Sequence, residues 1–126
     1  MSLLSILFAP LLLVQSAAAP PITMTPAAVP ELTGEERYAF DCAVTVGLLA
    51  KDQRDGVVGA DHWPVVGEKE REYFVRYAAQ LMDRYAIGRL QMAELVSEAT
   101  SRLVPLRDQR EEALPACLAL IEASGL

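Results

Sequence analysis

Two cysteines, Cys42 and Cys117, lie near opposite ends of the part of the chain that carries all of its charged side chains. Ahead of them, Met1 to Ala19 has the form of an export leader. An apolar core runs from Leu3 to Val14, Gln-Ser-Ala-Ala-Ala19 follows, and the first charged side chain is Glu31. Pro10 interrupts the core, which is shorter than the ~20 apolar residues a membrane span requires. The small residues Ser16 and Ala18 place cleavage after Ala18, so residues 1–18 are expected to be a signal peptide. The product would be periplasmic or secreted, with no stable membrane anchor. In an oxidising compartment an even pair of cysteines is expected to form a disulfide. Cys42–Cys117 would close a ring of about 76 residues and stabilise the fold by ~4–5 kcal/mol on the loop-entropy model.

Residues 19–32 hold Pro20, Pro21, Pro26 and Pro30. Proline fixes φ and removes an amide donor, so this stretch is expected to be an extended, mobile arm. Residues 33–126 then form one helical domain, large enough for a core but not for two. Eleven basic and 17 acidic side chains give a net charge of −6. That balance argues against nucleic-acid binding by phosphate neutralisation and against a polybasic membrane patch.

The helical pattern opens at Thr33-Gly-Glu-Glu36, a capping box in which hydroxyl and carboxylate each satisfy the other residue's amide. Beyond it, Tyr38, Cys42, Val46 and Leu49 recur at helical spacing up to Ala50, which puts Cys42 on a buried stripe. Gly47 is positioned for a close helix crossing. A second helix spans Glu68 to Tyr85, with Phe74, Tyr77, Ala78, Leu81, Met82 and Tyr85 along one face. Gly88 breaks it. A third runs from about Leu90 to Leu103, with Met92, Leu95, Val96, Ala99 and Leu103 inward, and is stopped by Pro105. Asp108 and Glu111 can begin a short helix. Pro115 then suits the first turn of a last helix, about Pro115 to Ala123, with a bend at Leu114–Pro115. Leu114, Cys117, Leu118 and Ile121 form its buried face, and Gly125 caps its end with Leu126 closing over it. The expected fold is all-α: a small irregular four-helix bundle with one disulfide joining the first and last helices.

Between the first two helices, Gly56, Gly59, Pro64 and Gly67 mark a long connection. Val57, Val58, His62, Trp63, Val65 and Val66 make it apolar for a loop. It folds back as a lid on the core or serves as a binding surface. The one histidine, His62, has no partner set for zinc, which needs three or four Cys, His or carboxylate ligands. Asp61 and His62 are adjacent and do not face each other. The glycines lack the spacing of a phosphate-binding loop, and Ser97, Ser101 and Ser124 lack a nucleophile-elbow context. Glu68, Glu70 and Glu72, and the pair Glu94 and Glu98, fall on expected solvated faces. Met82 and Met92 fall on apolar stripes, as core residues do. No catalytic residue, metal site or cofactor site is therefore expected.

Three stretches carry a resemblance: Asp41-Cys-Ala-Val-Thr-Val-Gly-Leu-Leu-Ala50, Glu70-Arg-Glu-Tyr-Phe-Val-Arg-Tyr-Ala-Ala-Gln-Leu-Met-Asp83, and Leu114-Pro-Ala-Cys-Leu-Ala-Leu-Ile-Glu-Ala-Ser-Gly-Leu126. Together they resemble small exported two-cysteine proteins of alphaproteobacteria, a group to which the resemblance attaches no activity. In architecture alone the chain is also similar to periplasmic acid-stress chaperones, which are short, helical and held by one disulfide. Two functions follow as expectations. The first is a non-enzymatic exported protein that binds another periplasmic protein or a peptide; a chaperone-like form would loosen in acid while the disulfide keeps it compact. The second is a carrier of a small apolar ligand, in a cavity lined by Phe74, Tyr77, Met82 and Trp63.

Overall fold

The computed structural model describes residues 28–125. The leader, the arm up to residue 27 and Leu126 lie outside the described residues. Four helices follow one another: α1 (Gly34–Asp55), α2 (Glu68–Tyr85), α3 (Arg89–Leu103) and α4 (Arg107–Ala123), with a single 3-10 turn at Ala60–His62 between α1 and α2. The protein is thus an irregular four-helix bundle without strands among the described residues, and Cys42–Cys117 joins α1 to α4. The two Cα atoms stand 5.0 Å apart and both side chains are buried.

α1 is the axis of the bundle: α4, α2 and α3 all pack on it. Two apolar clusters form on its opposite sides. Phe40 and Val44 face Ala78 and Leu81 of α2 and Met92, Leu95 and Ala99 of α3. Cys42, Val46 and Leu49 face Leu114, Cys117 and Ile121 of α4. Phe40 is wholly inaccessible to solvent, whereas Tyr38, expected on the buried stripe, is 52 % exposed. The single-stripe reading missed Phe40 because a helix packed on opposite sides carries more than one apolar stripe. α1 also continues five residues past Ala50, to a left-handed cap at Gly56 with φ 69°. Its start is the capping box: the Glu36 amide donates to Thr33 Oγ1 (3.2 Å) and the Thr33 amide to Glu36 Oε1 (3.0 Å). Leu32, placed in the mobile arm by its sequence context, is buried in the first cluster, so the packed region begins one residue before the cap.

α2 and α3 are close to expectation. The left-handed residue that ends α2 is Ala86 (φ 51°), while Gly88 instead caps α3, its amide donating to Gln91 Oε1 at 3.0 Å. α4 departs further. It runs unbroken through Pro115, rather than bending there and starting anew. Proline deprives the Glu111 carbonyl of its helical donor, but Pro115 sits on the exposed face, where water can reach that carbonyl. Leu114 and Cys117, on either side of it, are both packed against α1 and hold the two halves in line.

Polar side chains tie the helices together at the rim. Glu98 is not merely solvated: its carboxylate accepts from Arg37 of α1 (2.9 Å) and Arg102 (3.2 Å), and Arg102 in turn donates two hydrogen bonds to Asp41. At the start of α1, the Glu36 carboxylate also accepts from the Tyr85 hydroxyl and lies 3.3 Å from Arg84 of α2. The Tyr77 hydroxyl donates to the Glu36 carbonyl at 3.2 Å. The hydrogen bond from Tyr85, then those of the cap, hold the Glu36 carboxyl below the usual carboxylate range. For Glu98, burial pushes upward, but the bonds from Arg102 and Arg37 outweigh it and leave the carboxyl lowered. Burial, followed by the Glu36 charge, pushes the Tyr77 hydroxyl up to about 12.

Pro115→Ala should stabilise the protein by about 1–3 kcal/mol, since alanine restores the missing amide and the proline's stiffening of the unfolded chain offsets only part of that gain. Urea midpoints at unchanged slope measure it; an unchanged or lower midpoint would contradict the described α4. A carboxyl whose folded pKa lies below its unfolded value contributes stability above the unfolded pKa and loses it as pH falls through the folded one. The Glu36 and Glu98 clusters should therefore weaken as pH drops below the ordinary glutamate value of 4.5. Glu36→Gln should lower the urea midpoint at pH 7 and flatten its fall below pH ~4.5, whereas a variant as pH-sensitive as the parent would remove Glu36 from that role.

Candidate functional site

The connection from Gly56 to Gly67 turns some of its side chains onto the core and others to solvent. Ala60 is buried against Cys42, Val46 and Leu49, with Val57, Trp63 and Val66 packed beside it. Val58 and Val65 point the other way and are 89 % and 86 % exposed; His62 is exposed too. Of the six residues singled out here, three thus cover the second cluster and three face solvent. Alternation of inward and outward side chains leaves a turn that is anchored yet apolar outside.

The anchor is Gln53, in the last turns of α1. Its side-chain NH2 donates to the carbonyls of Ala60 (3.2 Å), Trp63 (3.5 Å) and Pro64 (2.9 Å), and its Oε1 accepts the Val66 amide at 3.0 Å. One primary amide thus satisfies backbone groups across seven residues of loop, the economy a carboxamide's two-sided chemistry permits. The Val57 amide continues the helix end by donating to the Asp52 carbonyl (2.9 Å), and Arg107 of α4 donates to the Val58 carbonyl at 2.8 Å. No pattern around Gln53 marked it in the sequence; its role depends on how the loop returns.

Two surface grooves meet at this loop. The first, about 600 Å³, has α1 as its floor, with Phe74 and Arg71 of α2 on one wall and Val96 and Thr100 of α3 on the other. The floor is made of Ala43, Gly47 and Ala50, small residues that recur on one face of α1. Gly47, expected at a close crossing, lies on open space: a Cβ built there meets nothing within 4 Å. The second groove, about 860 Å³, follows the loop past Val57, Val58, Trp63 and Val65. Ala50, Arg54 and Val66 line both, so the two form one open trough. The spacing Ala43, Gly47, Ala50 was the signal in the sequence for this floor, and Arg54 and Arg71 carried none.

Three of the four residues expected to line a cavity, Phe74, Tyr77 and Met82, share the first cluster. Phe74 faces the trough and stands 6.4 Å from Phe40, centroid to centroid. Tyr77 stacks on Tyr73 at 6.0 Å, and Tyr77 and Met82 pack on the first cluster, while Trp63 belongs to the second. Among the described residues no group of three or more His, Cys, Asp or Glu side chains is placed to hold a metal ion, and no helix is long and apolar enough to cross a membrane. The disulfide fits a compartment outside the cytosol.

Gln53→Ala should release the loop, leaving the part-buried Val66 amide and the Trp63 carbonyl without their side-chain partner at a cost of about 1–3 kcal/mol. Hydrogen exchange at the Val66 amide should accelerate and Trp63 fluorescence shift toward that of exposed indole. Unaltered exchange at Val66 would show that the loop is held by other means. Comparison with protein-family models, with curated proteins and with solved structures returned no match.

Proposed function

We propose that this chain is an exported, non-enzymatic binding protein that takes a segment of another polypeptide in the trough along α1 and the 56–67 loop. The observation that carries the reading is continuity: Ala50, Arg54 and Val66 belong to both grooves, so the apolar surface extends from α3 across α1 to the exposed valines. An open trough of this length suits an extended or helical segment. Small-molecule sites are typically concave pockets that bury most of their ligand. The loop's exposed side chains are held in place by Gln53 before any partner arrives, which lowers the ordering cost of association. A periplasmic or extracellular setting accords with the disulfide. The lowered carboxyls of Glu36 and Glu98 support a chaperone-like form, in which acid slackens the ties of α1 to α2 and α3 while the disulfide keeps α4 in place.

Selection from a displayed random-peptide library tests this, with Gly47→Leu as the paired control. A Cβ at position 47 meets nothing within 4 Å, and leucine is a better helix former than glycine, so the variant should fold with at least the parent's stability while its side chain occupies the trough floor. The parent should enrich apolar-rich peptides whose affinity falls about tenfold or more on Gly47→Leu, the loss expected when buried side chains are denied their contacts. A library that yields nothing above the Gly47→Leu control would overturn the proposal.

A further inference from the structure

We infer that the trough selects an acidic side chain flanked on both sides by apolar residues, an inference that rests on the peptide-binding reading above. Eight of the eleven basic side chains reach a carboxylate within 4.0 Å. Among the described residues the other three, Arg54, Arg71 and Arg89, do not, and two of these, Arg54 and Arg71, line the same groove. A chain with 17 acidic side chains and a net charge of −6 has ample means to neutralise them. The two carboxylates that share the groove have other roles. Glu70 Oε2 accepts the Gly67 amide at 2.8 Å, and Glu68 lies in the first turn of α2, where the helix dipole favours it.

A guanidinium offers a planar fork of donors that matches a carboxylate in two-point contact, and bordering apolar walls strengthen such a bond by excluding water. The position of Arg54 decides between a side-chain and a terminal carboxylate. Apolar surface continues on both sides of it, toward Gly47 and Phe74 in one direction and toward Val57 and Val65 in the other. A chain terminus fixed at Arg54 would leave one arm of the trough empty, whereas an internal aspartate or glutamate lets its neighbours fill both. Elsewhere the acidic surface repels such a segment, so the arginine pair also sets its register.

Fluorescence anisotropy with a labelled synthetic nonapeptide tests this: a central glutamate flanked on each side by leucine and valine, with blocked ends. Comparison peptides carry glutamine at the centre, or no acidic side chain and a free C-terminal carboxylate. The glutamate peptide should bind about tenfold more tightly than the glutamine peptide, the range of a charge-assisted hydrogen bond at a partly desolvated site. The preference should vanish in the Arg54→Gln, Arg71→Gln double variant while the glutamine peptide keeps its affinity. Both peptides should be lost on Gly47→Leu. Circular dichroism and urea midpoints establish that each variant is folded. Equal binding of the glutamate and glutamine peptides, or a preference that survives the double variant, would overturn the inference and leave the peptide-binding reading standing. Tighter binding of the free-carboxylate peptide would overturn the choice of an internal acid. Failure of every peptide, in a folded parent, would overturn the peptide-binding reading itself.

Discussion

α1 buries opposite faces of itself in two different places, and the bundle is arranged around that fact. One face receives Phe40 and Val44 into a cluster with α2 and α3; the other receives Cys42, Val46 and Leu49 into a cluster with α4 and the loop. Each of the three remaining helices packs on α1, and α2 and α3 also meet each other in the first cluster. The disulfide lies at the centre of the second cluster, so the link to the last helix does not rest on side-chain packing alone. The first cluster has no covalent counterpart. Its ties at the rim are ionic and hydrogen-bonded, through Glu36 to Tyr85 and through Glu98 to Arg37. The molecule therefore has a covalently secured half and a titratable half.

The same arrangement explains the trough. α1 carries small residues, Ala43, Gly47 and Ala50, along the strip that floors the groove, with Ala43 buried and Gly47 exposed. Small side chains in a helix usually let another backbone approach closely. Among the described residues nothing lies within 4 Å of a Cβ built at Gly47, so the strip is open there between the two walls.

Much of the bundle was legible in the sequence because its elements obey local rules. The Thr33 capping box, the 3.6-residue periodicity of α2 and the Pro105 stop each act within a few residues, and each appears where the pattern places it. The misreadings share one cause, which is that a neighbour outside the window decided the outcome. In the first turns of α1 it is Phe40, facing α2 and α3, that is buried, while Tyr38 is exposed. Pro115 stays within α4 because Leu114 and Cys117 are fixed to α1 on both sides of it. The loop's split into inward and outward residues depends on Gln53, whose four bonds reach up to 13 positions away. Of the candidate surface, the valines and Trp63 were visible as apolar residues among glycines. Arg54 and Arg71 were not, because an arginine gains meaning only when its possible partners prove to be elsewhere.

That Gln53 is a neutral amide has a consequence for the setting in which such a protein works. A carboxylate or a lysine at this position could hold some of the same backbone groups, but its grip would change with proton activity and with ionic strength. A carboxamide has no charge to gain, lose or have screened across any environmental pH. The contour of the 56–67 loop is thereby insulated from the chemical weather outside a cytosol, even where the ion pairs of α1 with α2 and α3 are not.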